Sequence, residues 1–339
     1  MNSRLRAAII GSGQIARLGH IPGYQKAGAE ITAICDVNEA AAKQAIEAFG
    51  IPRYYTDWKK MLAEGGFEVV SICTPPFLHY EMAVECAQRG YAVLVEKPMA
   101  RTLEECDQMI EAAQKAEVVL MVSQNQRFMA AHQLAKEILA SSILGRPYLV
   151  HAVFGHSGPE MWSPTQQWYF QPGRAGLGVM SDLGSHKIDL IRWMTGQDIS
   201  WISAFCSTFE KNTTLEDTAV FSMQLSGGTL ATIHVSWAFR PDWDNSLVVR
   251  CERGSIRVPT EAAEPVRVLS IDQQGRTIES THLCSTADPS GWFGAVNAFV
   301  TAVLEGWPSP APGSEGKAAL AAILAAHQSS VEKKVVQVL

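Results

Sequence analysis

Two features that define large classes of protein are missing from this sequence. No run of apolar residues approaches the roughly 18 that a transmembrane helix needs. Lys and Arg together number 28 against 34 Asp and Glu, and the resulting net charge of −6 argues against a broad phosphate-binding surface. Neither a membrane nor a nucleic acid is therefore expected as a partner.

The cysteines exclude two kinds of site. There are seven of them, an odd number, and no two form a Cys-x-x-Cys pair. Most lie in apolar runs, which is typical of buried thiols in a reducing compartment and not of a disulfide framework or a zinc site. Arg4 and Arg6 precede only four apolar residues before Gly11, too few for a secretion signal. The sequence predicts a soluble, cytoplasmic protein without a metal.

The first 125 residues alternate short apolar segments with amphipathic ones. The segments predicted to be strands are residues 7–10, 31–35, 69–73, 92–96 and 118–122. Continuously apolar strands separated by helices indicate a parallel sheet covered on both faces. This part is predicted to be a Rossmann domain.

The pattern changes in the remainder of the chain. From residue 199 to about 282, strands of period two follow one another without intervening helices, which is typical of an antiparallel sheet. We therefore predict an α/β protein with a doubly wound Rossmann domain at 1–125. Residues 126–339 form a second α/β domain on a large, mostly antiparallel sheet, and a C-terminal helix at about 314–330 is a candidate to pack back on the first domain.

The first predicted strand runs into a Gly-x-Gly-x-x-Ala fingerprint for dinucleotides. Gly11 permits the tight turn, Gly13 lets the backbone approach a pyrophosphate, and Ala16 lets the next helix pack closely on the strand. Asp36 ends the second strand, 20 residues after Ala16, where a carboxylate binds the adenosine ribose hydroxyls. Because that carboxylate repels a 2′-phosphate and no arginine directly follows it, the sequence predicts NAD rather than NADP.

Two further segments carry candidate chemistry. Lys97 follows a buried strand, at the edge of a parallel sheet where ligands bind, and a cis bond to Pro98 would aim its side chain in a fixed direction. Asp182, His186 and Asp189 are spaced to share one face of a helix. Burying unpaired charges is costly, so such a face needs a polar cavity or a metal. With one histidine and no further ligand cluster, an organic polyol fits better than a metal.

These motifs resemble those of the Gfo/Idh/MocA family, the glucose–fructose oxidoreductase and inositol dehydrogenase group. The likeness is carried by residues 11–16, 35–38, 74–79, 90–98, 125–128 and 180–186. The Glu-Lys-Pro motif at 96–98, followed by Asp-x-Gly-x-His at 182–186, is specific to that family.

The resemblance implies that Lys97, Asp182 and His186 meet at the nicotinamide ring. His186 is then the general acid/base, Lys97 the polarising or proton-relaying group, and Asp182 the substrate anchor that tunes His186. The cofactor-binding candidates are Gly11, Ser12, Gly13, Gln14, Ile15, Asp36, Thr74, Pro75, His79, Glu96 and Lys97.

Substrate binding is predicted for residues around the second segment. Aromatic faces stack on the C–H faces of sugar rings, so Trp162 and Trp168 are candidates for a substrate wall, with ordinary packing as the alternative. Trp237 is a further candidate for the same pocket, and Arg127 joins Asp182 and His186 in the predicted substrate set.

We predict an enzyme that moves a hydride between NAD and a secondary alcohol or ketone carbon of a sugar, glycoside or cyclitol. Two alternatives remain. One is an NAD-dependent glycosidase that works by transient C3 oxidation, elimination and re-reduction, and the other is a non-catalytic NAD-binding regulator. The intact Lys97, Asp182 and His186 disfavour the regulator. An exposed, partly apolar sheet face in the second domain predicts a homodimer or homotetramer.

Overall fold

The computed structural model describes residues 4–161, 167–284 and 287–338. They form two compact units. The first contains the described residues up to Asn125 together with Ser290–Lys317, and the second contains Gln126–Pro289 and the described residues from Ala318. The sequence prediction placed Ser290–Lys317 in the second domain, whereas the structure groups this segment with the first unit. Within the described residues, no helix is long and apolar enough to cross a membrane.

Strands and helices follow one another in this order. The strands are β1 Arg6–Ile10, β2 Glu30–Cys35, β3 Tyr54–Tyr55, β4 Val69–Ile72, β5 Ala92–Val95, β6 Leu120–Val122, β7 Pro147–Gly155, β8 Ile199–Ser207, β9 Thr218–Leu225, β10 Leu230–Ser236, β11 Leu247–Cys251, β12 Gly254–Val258, β13 Val266–Ile271, β14 Thr277–His282 and β15 Val336–Gln337. The α-helices are α1 Ile21–Lys26, α2 Glu39–Phe49, α3 Trp58–Glu64, α4 His79–Gln88, α5 Leu103–Lys115, α6 Ala130–Ala140, α7 Pro172–Ala175, α8 Ser185–Thr195, α9 Trp292–Glu305 and α10 Gly313–Glu332.

The first unit is built on a parallel six-stranded sheet. Its strand order is β3-β2-β1-β4-β5-β6, the order of a Rossmann fold. Every residue of β4 and of β5 is buried, as expected where helices cover both faces of the sheet. The prediction of a doubly wound parallel sheet is confirmed.

Helix α9 explains why a late segment of the chain belongs to this unit. It packs against α1, where the ammonium of Lys26 lies 3.9 Å from the centre of the Phe293 ring. Val296 and Phe299 on the same helix are buried. The apolar face of α9 packs against α1. The sequence does not reveal this contact, because the two segments lie far apart along the chain.

The second unit is built on a nine-stranded sheet with the order β14-β13-β12-β11-β7-β10-β9-β8-β15. Only the β7–β10 pair is parallel among the neighbours in this order, so the prediction of a mostly antiparallel sheet is confirmed. Buried and exposed residues alternate along β9, as in a sheet with one covered face. Helices α6 and α8 pack on the covered face.

The opposite face of this sheet, the outer face, carries exposed apolar side chains. The register of the strands puts them on one surface. They are Trp201, Phe205, Val220, Leu230 and Leu269.

Candidate active site

The first group of candidate residues lies at the carboxyl ends of β1 and β2. Gly11 has a φ of +95°, and a Cβ there would lie 2.6 Å from the carbonyl oxygen of Cys73, so the position requires glycine. Ser12 donates from its backbone N–H and from its hydroxyl to one oxygen of Asp36, both at 2.8 Å. The other oxygen accepts from the N–H of Asn38 at 2.9 Å. The carboxylate is thereby fixed but half-buried, with one lone pair left for a ribose hydroxyl, and this corner fits NAD.

Arg17 belongs to the same corner and was missed by sequence reasoning, which looked for an arginine only directly after Asp36. It lies on a π-helical turn, Ala16–His20. Its guanidinium donates to the carbonyl oxygens of Ser12 and Ala41, each at 2.9 Å. Ser12 therefore links Arg17 to the carboxylate of Asp36. The remaining fingerprint residues are half-buried in the preceding turn: Gly13, Gln14 and Ile15.

Glu96, a predicted cofactor-binding residue, belongs to a buried network. One carboxylate oxygen lies 2.8 Å from Nε2 of His20, whose Nδ1 lies 3.0 Å from the hydroxyl of Ser71. Burial would raise the pKa of Glu96, but the hydrogen bond and charge of His20, with Lys97 and Ser123, bring it below the usual value. The backbone N–H of Lys97 donates to the second oxygen at 3.3 Å. The structure therefore shows Glu96 holding the backbone of Lys97.

His79 joins two loops at the carboxyl ends of β4 and β5. Its Nε2 lies 2.7 Å from the carbonyl oxygen of Thr74, and its Nδ1 lies 3.0 Å from that of Pro98. The ring is fully buried, and this burial lowers the pKa of His79. The Lys97–Pro98 bond is cis, and Thr74, Pro75 and Lys97 are half-buried at this edge of the sheet. His79 thus braces the segment that presents Lys97.

In the second unit, the helix that carries Asp182 and His186 begins with a π-helical turn, Met180–Gly184. A Cβ at Gly178 would lie 2.1 Å from the carbonyl oxygen of Glu216, so the two backbones approach closely only because this residue is glycine. That carbonyl accepts from Val179, and the Glu216 carboxyl accepts from the N–H of Met180 at 3.1 Å. Burial raises the pKa of Glu216. Glu216 therefore fixes where this helix begins.

Trp237 orients Asp182. Its indole N–H donates to one Asp182 oxygen at 3.1 Å, and its side chain is fully buried. Trp237 therefore holds the carboxylate from a buried position. The rings of Tyr169 and Phe170 pack edge-on against Trp237, and Trp168 stacks on Tyr169 at 3.8 Å. The half-buried Trp168 is thus tied through aromatic contacts to Asp182, while Trp162 lies outside the described residues.

His186 and Asp189 have different surroundings, although the sequence placed them on one polar face. The imidazole is almost buried and lies 5.6 Å from the ring of Phe154 on β7. Asp189 forms a buried bidentate pair with Arg127, with Nε–Oδ2 and Nη2–Oδ1 distances of 2.7 and 2.6 Å. Arg127, predicted to bind substrate, is thus engaged in an internal ion pair. A spacing of three and four residues predicts a shared helix face but not the partner that each side chain meets.

Two family models match the chain. The model "Oxidoreductase family, NAD-binding Rossmann fold" of the GFO/IDH/MocA group matches residues 5–124, and the model "GFO/IDH/MocA C-terminal domain" matches residues 132–257. These matches confirm the resemblance inferred from the sequence, the NAD cofactor and the oxidoreductase class.

Individual relatives of the chain are named as sugar or cyclitol dehydrogenases. The chain is 25% identical to a myo-inositol 2-dehydrogenase of Thermotoga maritima over 98% of both chains. It is 31% identical to a D-apiose dehydrogenase of Paraburkholderia graminis over 70% of this chain and 62% of that one. It is also 31% identical to a D-glucoside 3-dehydrogenase of Escherichia coli over 58% and 55%, respectively. A solved levoglucosan dehydrogenase in complex with NADH has a TM-score of 0.92 at 22% identity over 99% of this chain and 100% of that one, a likeness of fold.

Proposed function

Because the chain belongs to the Gfo/Idh/MocA family of NAD-binding oxidoreductases, we propose that it transfers a hydride between NAD and a secondary alcohol or ketone carbon of a sugar, glycoside or cyclitol. The observation that carries this proposal is the carboxylate of Asp182, held by a buried indole N–H, four residues ahead of an almost buried imidazole on the same helix. A fixed acceptor for a hydroxyl group beside an imidazole that can take up a proton is what oxidation of an alcohol needs. The related inositol, apiose and glucoside dehydrogenases support the substrate class.

The proposed division of roles follows the chemistry of each side chain. Gly11 and Asp36 hold the pyrophosphate and ribose of NAD, which when bound supplies the hydride-accepting ring. Asp182 accepts a hydrogen bond from a substrate hydroxyl, and His186 takes the proton of the hydroxyl that is oxidised. Lys97 polarises the same oxygen or relays its proton.

A substrate screen with two variants tests this proposal. NADH formation is followed by absorbance across inositols, hexoses, glycosides and their keto forms. Replacing His186 or Lys97 by alanine is expected to lower turnover about 10²–10⁴-fold, because each removes a proton-transfer group. The affinity for NAD, measured by calorimetry, should stay nearly unchanged.

The exposed His282 on β14 offers a matched control, since His282→Ala should leave turnover unchanged. If NAD affinity collapsed in the His186 or Lys97 variants, the proposed roles would be wrong.

One relative favours a second candidate function. The D-glucoside 3-dehydrogenase acts, by its name, at C3 of a glucoside. Oxidation there acidifies the neighbouring C–H bond, so that a glycosidase can eliminate the aglycone, add water across the double bond that results, and reduce the ketone again with the NADH formed in the first step. Free NADH accumulates during turnover of the dehydrogenase but not of such a glycosidase. The same absorbance measurement, combined with detection of released aglycone, distinguishes the two.

For assembly, we propose a homodimer or homotetramer joined through the outer face. Phe205 is 66% exposed and Leu230 is 53% exposed in the single chain, and exposed apolar side chains gathered on one sheet face are typical of a subunit interface. Phe205→Glu should lower the mass measured by light scattering to that of the monomer. Leu304→Glu, on α9 of the first unit and 58% exposed, is the control expected to leave the mass unchanged. An unchanged mass in both variants would contradict this interface.

We also propose that the protein is located in the cytoplasm. All seven cysteines are free thiols, which suits a reducing environment. Burial raises the pKa of Cys35 and that of Cys106 to about 12, so these thiols are unreactive at neutral pH. Cell fractionation tests the location.

A further inference from the structure

Lys187, directly after His186 on α8, is among the largest side chains with no solvent exposure. Its Nζ donates to the backbone carbonyl of Asn245 at 3.1 Å and lies 5.5 Å from the centre of the Phe154 ring. Burial lowers the pKa of Lys187 to about 7, opposed by the negative charge of Asp244. An apolar side chain of the same length would fill this space without burying an ammonium, so the fold alone does not account for a lysine here.

Phe154 connects this ammonium to the imidazole of His186. Its ring centre lies 5.6 Å from that of the imidazole, with the two planes at 61°, and 5.5 Å from Nζ of Lys187. The charge and the imidazole are therefore no more than about 11 Å apart. Lys187 is fully buried and His186 almost so, and both lie close to the Phe154 ring, so bulk water screens their interaction only in part.

We propose that Lys187 is a positioning residue for the reaction: its ammonium, held by the Asn245 carbonyl, keeps His186 in the neutral, proton-accepting form. The inference rests on the role of His186 proposed above. A positive charge disfavours a second positive charge nearby, so His186 resists protonation while Lys187 is charged. Oxidation of an alcohol requires the neutral imidazole, which has a free lone pair for the hydroxyl proton.

Other charged and titratable groups near Lys187 leave this effect in place. Asp244, in the turn before β11, offsets part of the positive charge. His132 on α6 also faces Lys187, and burial, followed by the charge of Lys187, lowers the pKa of His132 to about 3. His132 therefore stays neutral at working pH. Arg127 and Asp189 form an ion pair with no net charge.

The expected size of the effect follows from the distance. A unit charge at roughly 10 Å, in surroundings of effective dielectric constant about 20, moves a pKa by about one unit. Because Lys187 itself loses its proton above about pH 7, the effect is confined to acidic and neutral pH. The charge therefore extends the pH range of oxidation on its acid side.

Nuclear magnetic resonance of ¹⁵N-labelled histidine tests the inference without any substrate. The signal of His186 is assigned by its loss in His186→Ala and titrated in the wild type, in Lys187→Gln and in Lys187→Met. Glutamine keeps a donor for the Asn245 carbonyl but has no charge, and methionine has neither. In both variants the pKa of His186 should rise by about one unit. In parallel, kcat/KM for oxidation should fall about tenfold near pH 6 and match the wild type near pH 9. An unmoved titration and a parallel pH profile would overturn the inference.

Lys136 provides a matched control at the other end of α8. It also donates to a backbone carbonyl, that of Trp193 at 2.8 Å, and also lies over an aromatic ring, that of Trp193 at 5.8 Å. Lys136→Met should leave the titration of His186 unchanged. An equal shift in this variant would show a general effect of packing on α8 and would overturn the inference.

Lys187→Arg keeps a positive charge at this position, which matters if the uncharged variants do not fold. The pKa of His186 should then stay at or below its wild-type value, and a rise like that expected for Lys187→Gln would overturn the inference. The two proposals fail separately. A shifted titration without turnover of any sugar or cyclitol refutes only the proposed function, and turnover with an unshifted titration refutes only the role of Lys187.

Discussion

The buried ion pair of Arg127 and Asp189 should contribute strongly to the stability of the second unit, and this can be tested by mutation. The side chains are 4% and 2% exposed, and their two hydrogen bonds are 2.7 and 2.6 Å long. Replacing Asp189 by leucine leaves a guanidinium buried without its counter-charge. Removing one partner of such a pair costs about 3–5 kcal/mol, a large part of the stability of an ordinary protein. For a protein of this size, the midpoint of thermal unfolding should fall by about 4–7 °C.

A double-mutant cycle isolates the interaction. Arg127→Met should destabilise the protein by a similar amount, since it leaves the carboxylate buried and unpaired. The double variant Arg127→Met with Asp189→Leu should recover most of the loss, because two apolar side chains leave no buried charge. Urea unfolding followed by tryptophan fluorescence gives the free energies. Arg267→Met, on an exposed pair with Glu279, should leave the unfolding midpoint unchanged.

One result would refute this reasoning. If Arg127→Met unfolded at the wild-type urea concentration but raised KM for the sugar about tenfold, Arg127 would bind substrate, as the sequence suggested, and the pair with Asp189 would not hold the unit together.

Three further predictions concern other parts of the protein. Asp36→Ala should lower kcat/KM with NAD about 10–100-fold, because a charged hydrogen-bond acceptor is lost. It should raise kcat/KM with NADP, because a 2′-phosphate is no longer repelled. Steady-state kinetics with both cofactors would contradict this if the ratio of the two kcat/KM values stayed constant. Gly178→Ala, whose Cβ would lie 2.1 Å from the Glu216 carbonyl oxygen, should lower the midpoint of thermal unfolding by several degrees, whereas Gly173→Ala, with nothing within 4 Å of its added Cβ, should not. The pKa of Lys187 falls from 10.5 unfolded to about 7 folded, so the unfolded chain binds the extra proton between these values and stability rises with pH. Relative to Lys187→Met, the unfolding free energy of the wild type should increase by up to about 1.4 kcal/mol per pH unit in that window. Urea denaturation measures both free energies, and a difference between them that does not change with pH would contradict this prediction.

The Rossmann half was predictable because its signals are local. The fingerprint around Gly11 follows directly from a strand, and Asp36 ends the next one. Backbone conformation at Gly11 and the ribose-binding position of Asp36 are set within a few residues of each motif, so the sequence pattern carries them. The antiparallel sheet was predictable for the same reason, because its alternation of buried and exposed residues has a period of two.

The partners of the polar side chains were not predictable in this way. Arg127 meets Asp189 across 62 residues of sequence, and Trp237 meets Asp182 across 55. Such pairs depend on which helix packs on which strand, and periodicity does not report that. The spacing of Asp182, His186 and Asp189 suggested a single polar cavity. The structure instead gives Asp182 an indole donor and Asp189 an arginine, because the π-helical turn and the packing of α8 distribute these side chains among different neighbours.

The position of α9 also decides when the first unit can finish folding. Residues up to 125 leave the ribosome first, but the helix that covers α1 is synthesised only after the whole stretch from 126 to 289. At ordinary rates of translation this leaves an interval of roughly ten seconds or more. During that time the surface of α1 that Phe293 and Val296 later cover stays open to chaperones or to neighbouring nascent chains. The first unit therefore cannot finish folding until most of the second has been translated.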